Sequence, residues 1–90
     1  MNDSTEKSLL EFPCEFPIKI MGHARDDFES LVAALVRQHV PDLGEAAIRS
    51  RPSKQGKYLA VTVTVNATSR EQLDAIYYAL TACEHVLMAL

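Results

Sequence analysis

Ninety residues, 48% of them hydrophobic, with twelve acidic side chains against nine lysines and arginines, give a formal charge of −3, and the chain carries two cysteines. Chains divide at about 100–200 residues per domain, so a single core is expected, and a net acidic domain lacks the overall electrostatic footprint for nucleic acid or an anionic membrane. Two cysteines build no disulfide scaffold, and there is no run of about 18 apolar residues for a membrane span and no secretory apolar region, so a soluble, reduced, cytoplasmic protein without membrane contact is the expectation.

Met1 to Ser8 (MNDSTEKS) is polar throughout and reads as a flexible tail, leaving residues 9–90 as one domain. The short apolar run Leu9-Leu10-Glu11-Phe12-Pro13 is expected to lie as an arm against that domain. From Cys14 the pattern alternates, with Phe16, Ile18 and Ile20 on one face and Pro17, Lys19 and Met21 on the other. That period of two predicts a first strand ending at Gly22. Phe28, Leu31, Val32, Leu35 and Val36 then fall on one stripe of a helix, with Asp26, Asp27 and Glu29 placed in its first turn and Pro41 as its stop. Ala46 to Arg51 predicts a short strand carrying Ile48 inward, and Pro52 to Lys57 supplies turn residues. Leu59, Val61, Val63 and Val65 alternate with Tyr58, Ala60, Thr62 and Thr64 as a central strand. Thr68 with Glu71, or Ser69 with Gln72, makes a capping box ahead of the stripe Leu73, Ile76, Tyr77 and Leu80. Glu84 to Leu90 predicts a last strand, with Val86, Met88 and Leu90 on one face and His85, Leu87 and Ala89 on the other.

Strand, helix, strand, strand, helix, strand is the order of the split βαβ arrangement. Right-handed crossovers turn it into an α+β ferredoxin-like βαββαβ sandwich, a four-stranded antiparallel sheet in the order 4-1-3-2 with two helices on one face. The other face is left to Lys19, Met21, Tyr58, Ala60, Thr62 and Thr64. The apolar last strand at an edge predicts self-association as a homodimer.

The segments Leu9 to Gly22, Pro52-Ser53-Lys54-Gln55-Gly56-Lys57-Tyr58, and Ala67 to Tyr77 resemble the YbeD-like family of small bacterial proteins, with similarity from about Leu9 to Leu90. The resemblance implies a ferredoxin-like fold similar to the regulatory ACT domains, which bind amino acids and dimerise. It brings no established activity and no catalytic or binding residues to carry over.

Arg49, Arg51, Lys54 and Lys57 fall in nine residues, and no acidic residue stands between Glu45 and Glu71. An acidic protein thus carries a locally cationic hairpin, fit for docking an acidic partner protein; edge protection is the alternative use of the same charges. Gly56-Lys57 is no phosphate loop, because it lacks the glycine spacing and precedes a strand. Gly22, His23, Asp26 and Asp27 form a second candidate, a loop before a helix N-terminus where an ACT-like sensor would meet a small amino-acid-like metabolite. His23, Cys83 and His85 come towards one end of the first and last strands, yet no pair at ligand spacing pre-forms a metal site, so no metal and no cofactor are expected. His39, Asp42 and Glu45 lie near one another without a serine or cysteine nucleophile paired to a base, which argues against an enzyme. An RRM-like RNA reading shares the element order, but the open face offers Tyr58 followed by Ala60, Thr62 and Thr64 where stacking aromatics are needed. A non-catalytic regulatory or adaptor module is the functional expectation.

Overall fold

In the computed structural model, which describes residues 11–90, the chain forms β1 (Cys14–His23), α1 (Phe28–Arg37), β2 (Ile48–Pro52), β3 (Tyr58–Ala67), α2 (Arg70–Thr81) and β4 (Val86–Ala89), with a 3-10 turn at Glu45–Ala47 before β2. All three neighbouring pairs are antiparallel and the sheet order is β2-β3-β1-β4, as the element order and crossover handedness predict. The long central pair β1–β3 stays in register from Cys14 opposite Ala67 to His23 opposite Tyr58.

Alternation decides which side of the sheet each residue joins. Ile18, Ile20, Val61, Val63 and Val65 are buried under both helices, where they meet Phe28, Val32 and Val36 of α1 and Leu73, Ile76 and Leu80 of α2. Ile48 of β2 and Val86 and Ala89 of β4 are half-buried at the margins of this layer. Phe12 also packs against it, so the visible end of the predicted arm touches the core; Leu9, Leu10 and the predicted tail 1–8 lie outside the described residues.

The ends of the helices follow local chemistry. Of the two possible caps, Ser69 is the N-cap of α2, its Oγ accepting from the Gln72 amide at 3.0 Å while Gln72 Oε1 accepts from the Thr68 amide at 2.7 Å. Gln72 Nε2 also donates to the His39 carbonyl at 3.1 Å, tying α2 to the chain leaving α1. The start of α1 departs from expectation, because the helix begins at Phe28 and Asp26 and Asp27 precede it. Asp27 is the N-cap residue by position but makes no side-chain cap, since Arg25 holds its carboxylate.

The last strand also differs from its predicted form. It runs only from Val86 to Ala89, following a turn at Cys83–His85, and its pairing with β1 slips between Met21 and Gly22. Val86 opposes Gly22, whereas Met88 opposes Met21 and Ala89 opposes Ile20. This bulge puts Val86 and Ala89 on the helix side and Met88 and Leu90 on the open side, separating residues that simple alternation had grouped. None of the described helices is long and apolar enough to cross a membrane.

Candidate functional site

The side of the sheet away from the helices is built of cross-strand rows. Arg49 of β2 opposes Thr62 of β3, Thr62 opposes Lys19 of β1, and Lys19 exchanges backbone hydrogen bonds of 2.9 and 2.8 Å with Leu90. The adjacent row runs Arg51, Ala60, Met21, Met88. One row further on, His23 faces Tyr58 with ring centroids 5.4 Å apart. Two-residue periodicity places all of these side chains on one surface, with cations over β2 and β1 and apolar side chains over β1 and β4.

Lys19, Arg49, Arg51, Ala60 and Thr62, with Ser50 at the rim, enclose a groove of about 690 Å³. A smaller hollow of about 120 Å³ adjoins it, sharing Lys19, Ala60 and Thr62 and extending over Met21, Met88 and Leu90. Among the described residues, no carboxylate lines either one. Ion pairs among the described residues join Arg25 to Asp27, Arg70 to Asp74 and Glu84 to His85, so Lys19, Arg49 and Arg51 have no carboxylate partner among them. Exposed unpaired cations keep their field available to an incoming anion.

The four hairpin cations therefore occupy two places. Arg49 and Arg51 stand over the groove, while Lys54 and Lys57 flank a separate depression beside Tyr58 at the hairpin end. Gly56 closes that turn at φ +74°, a left-handed conformation suited to glycine, with its amide bonded to the Ser53 carbonyl. Lys19 is the member that sequence reasoning did not group with them. Its alternation marks it as open-face, but its nearness to Arg49 depends on the β1–β3 register, which no local motif announces.

The loop after β1 is arranged differently. Gly22 is buried, and a Cβ there would strike the Phe28 ring and the His85 carbonyl, so its small size serves close packing. Arg25 Nε donates to Asp27 Oδ1 at 2.6 Å and Arg25 Nη2 to Oδ2 at 3.3 Å. This guanidinium holds the Asp27 carboxyl below the usual carboxylate range. Arg25 Nη1 also lies 2.8 Å from His85 Nδ1, an approach in which the ring nitrogen accepts. Asp26 is exposed, and His23 belongs to the open face beside Tyr58. His23 and His85 are thus engaged with different neighbours, and no group of three His, Cys, Asp or Glu able to hold a metal occurs among the described residues. Cys14 and Cys83 are half-buried free thiols.

Fold and surface together define a small α+β domain with one sheet face packed and the other left uncovered by the described residues. The family model described as "Protein of unknown function (DUF493)" matches residues 7–90, and the chain belongs to that family. Similar bacterial proteins bear the description UPF0250 protein. One from Chromobacterium violaceum is 49% identical over 90 residues and covers the whole of both chains. Another, from Ralstonia nicotianae, is 53% identical over 76 residues, covering 84% of this chain and 78% of its own. The solution structure of a protein from H. pylori superposes with a TM-score of 0.74 at 15% identity, covering 90% of this chain and 85% of that one, and so shares the fold.

Proposed function

We propose that this DUF493 protein is a non-catalytic adaptor or regulatory module that docks an acidic protein partner on the open face of its sheet, through Arg49 and Arg51 with Lys19, and with Lys54 and Lys57 extending the cationic edge. The observation that carries this reading is the convergence of three exposed cations from two strands on a groove that no described carboxylate lines, in a chain of net charge −3. Like charges held about 7 Å apart along a strand, with a third two strands away, raise the local potential, and nothing in the packing of the core asks for them there. The resemblance of the sequence to the YbeD-like family implies an ACT-like scaffold, with which a regulatory role is compatible, and a cytoplasmic setting suits its two free thiols. An ACT-like metabolite sensor acting through Gly22, His23, Asp26 and Asp27 is supported less well, because Arg25 neutralises Asp27 and Phe28 covers Gly22.

Affinity capture from native cells tests the reading, comparing the parent with an Arg49→Glu/Arg51→Glu variant of unchanged thermal stability. The acidic proteins recovered with the parent should be lost, and association with the purified partner should slow while losing most of its salt dependence. Equal recovery and equal association rates for parent and variant would return these residues to edge protection and solubility.

A further inference from the structure

The distribution of charge and apolar surface across the open face says more than that the partner is acidic. Along each row the chemistry changes in one direction: Arg49 or Arg51 over β2, small Thr62 or Ala60 over β3, Lys19 or Met21 over β1, and Leu90 or Met88 over β4. Met21, Met88 and Leu90 are exposed at 38%, 47% and 68%, an apolar margin directly beside the cations. A free carboxylate or phosphate would use the arginines alone and leave that margin in water. A nucleic-acid strand would want stacking rings, whereas the only ring pair on this face among the described residues, His23 with Tyr58, lies at its end, one row beyond the methionines.

The dimensions of the strip fit one kind of ligand. Neighbouring strands are about 4.8 Å apart, so about 14 Å separates β2 from β4, a strip that an α-helix of about 10–12 Å diameter covers to within the reach of long arginine and methionine side chains. Arg49 and Arg51 are two residues apart on one strand, about 7 Å, and residues i and i+4 of a helix rise about 6 Å. The small side chains of Thr62 and Ala60 leave the trough in the middle that a helix seated there needs.

We propose, resting on the docking reading above, that the open face takes a single amphipathic helix of the partner laid along the strands, with carboxylates at i and i+4 over Arg49 and Arg51 and an adjacent apolar flank over Met21, Met88 and Leu90. Lys19 stands between the two halves, its stem beside the apolar flank and its ammonium towards the carboxylates. The sheet then has helices on both faces, with the third layer supplied in trans.

The test is a titration of the isotope-labelled full chain, followed by amide NMR, with a designed helical peptide of about five turns. The peptide carries glutamates at i and i+4 on one flank and leucines on the other. Saturable shifts confined to β2, β3, β1 and β4, weakened at least tenfold by Arg49→Glu/Arg51→Glu and separately by Met88→Ser/Leu90→Ser, are expected. Both variants place their changes on exposed positions and should keep the parent's melting temperature. A peptide of the same composition with its pattern scrambled should bind at least tenfold more weakly. Equal binding by the scrambled peptide would overturn the helix while leaving the electrostatic docking reading to its own capture experiment. Tighter binding of a single-stranded oligonucleotide at the same amides would overturn it in favour of nucleic acid, and a dimer that buries Met88 and Leu90 without peptide would replace the partner by a second copy of the chain.

Discussion

Thr62 and Val63 are neighbours in sequence on opposite sides of the sheet, and placing an aspartate at each in turn separates what the two sides do. Val63 is 0% exposed and lies between Ile18 and Ile48 in the ladder, beneath both helices. Replacing it removes about 1.5–3 kcal/mol of side-chain burial, and the carboxyl introduced adds about 2 kcal/mol or more, because no described donor faces the site. The sum, about 3.5–5 kcal/mol or more, reaches the lower end of the roughly 4–12 kcal/mol expected for a domain of about 80 residues, so Val63→Asp should lose much of its stability. Thr62 stands directly between Lys19 and Arg49 on the open face, and an aspartate there gains opposite-charge cross-strand pairs of about 0.2–1 kcal/mol against a small loss of strand propensity. Thr62→Asp should therefore fold within about 1 kcal/mol of the parent while lowering the positive charge of the groove. Urea denaturation with a common m-value reads the difference, and Val63→Ala, at about 2 kcal/mol, keeps the buried site measurable if the aspartate variant does not fold. Equal losses at Thr62 and Val63 would refute the assignment of faces, and with it the open side as a surface available to a partner.

Gly22→Ala should cost about 1–3 kcal/mol in denaturation, against the gain an alanine usually brings to a strand, because its Cβ meets Phe28 and the His85 carbonyl; Gly22→Ala combined with Phe28→Leu should lose less than the two single changes added together. Ser69→Ala should cost about 1 kcal/mol in the same assay by freeing the Gln72 amide at the start of α2, and a serine-to-threonine change there should restore most of it. The Asp27 carboxyl, followed by NMR, should titrate below the ordinary aspartate pKa of about 3.9 and return to it in Arg25→Ala. Since that folded-state pKa is depressed, whatever the pair contributes is present above the unfolded value and is lost as pH falls through the lowered one, so the acid limb of the stability curve should flatten slightly in Asp27→Asn.

The parts of this molecule that were legible in advance are those where neighbouring residues differ. Leu59 to Val65 announces a buried face because threonine and alanine alternate with valine and leucine, and the β2-β3-β1-β4 order follows once the elements are in sequence. Val86, Leu87 and Met88 are all apolar, so no period could reveal the bulge that sends Val86 inward and Met88 outward. Asp26 and Asp27 read as acids of the first helical turn, yet they precede the helix, and Arg25 two residues before Asp27 holds its carboxylate with a bidentate pair. The hairpin cations were visible as a cluster, but Lys19 is 30 residues before Arg49 in the chain and joins them only through two ladder registers, a non-local fact that sequence spacing does not encode.

The same registers explain why the proposed docking surface is free to exist. A four-stranded sheet with two helices on one side completes its core with Ile18, Ile20 and the β3 valines on that side, so the opposite row positions contribute little to folding and are open to other demands. Such positions commonly become polar throughout in a domain that keeps one sheet face in water. Here they divide instead, with Arg49 and Arg51 on β2, Met21, Met88 and Leu90 on β1 and towards β4, and Lys19 of β1 between them, and neither half is neutralised or covered by the described residues. Edge protection alone accounts for cations on β2, which is an edge strand, but it asks for charge rather than methionine and leucine on β4, the other edge. A surface that is cationic at one margin and apolar at the other matches an amphipathic acidic segment, and the proposed helix would explain the two edges together where edge protection explains one.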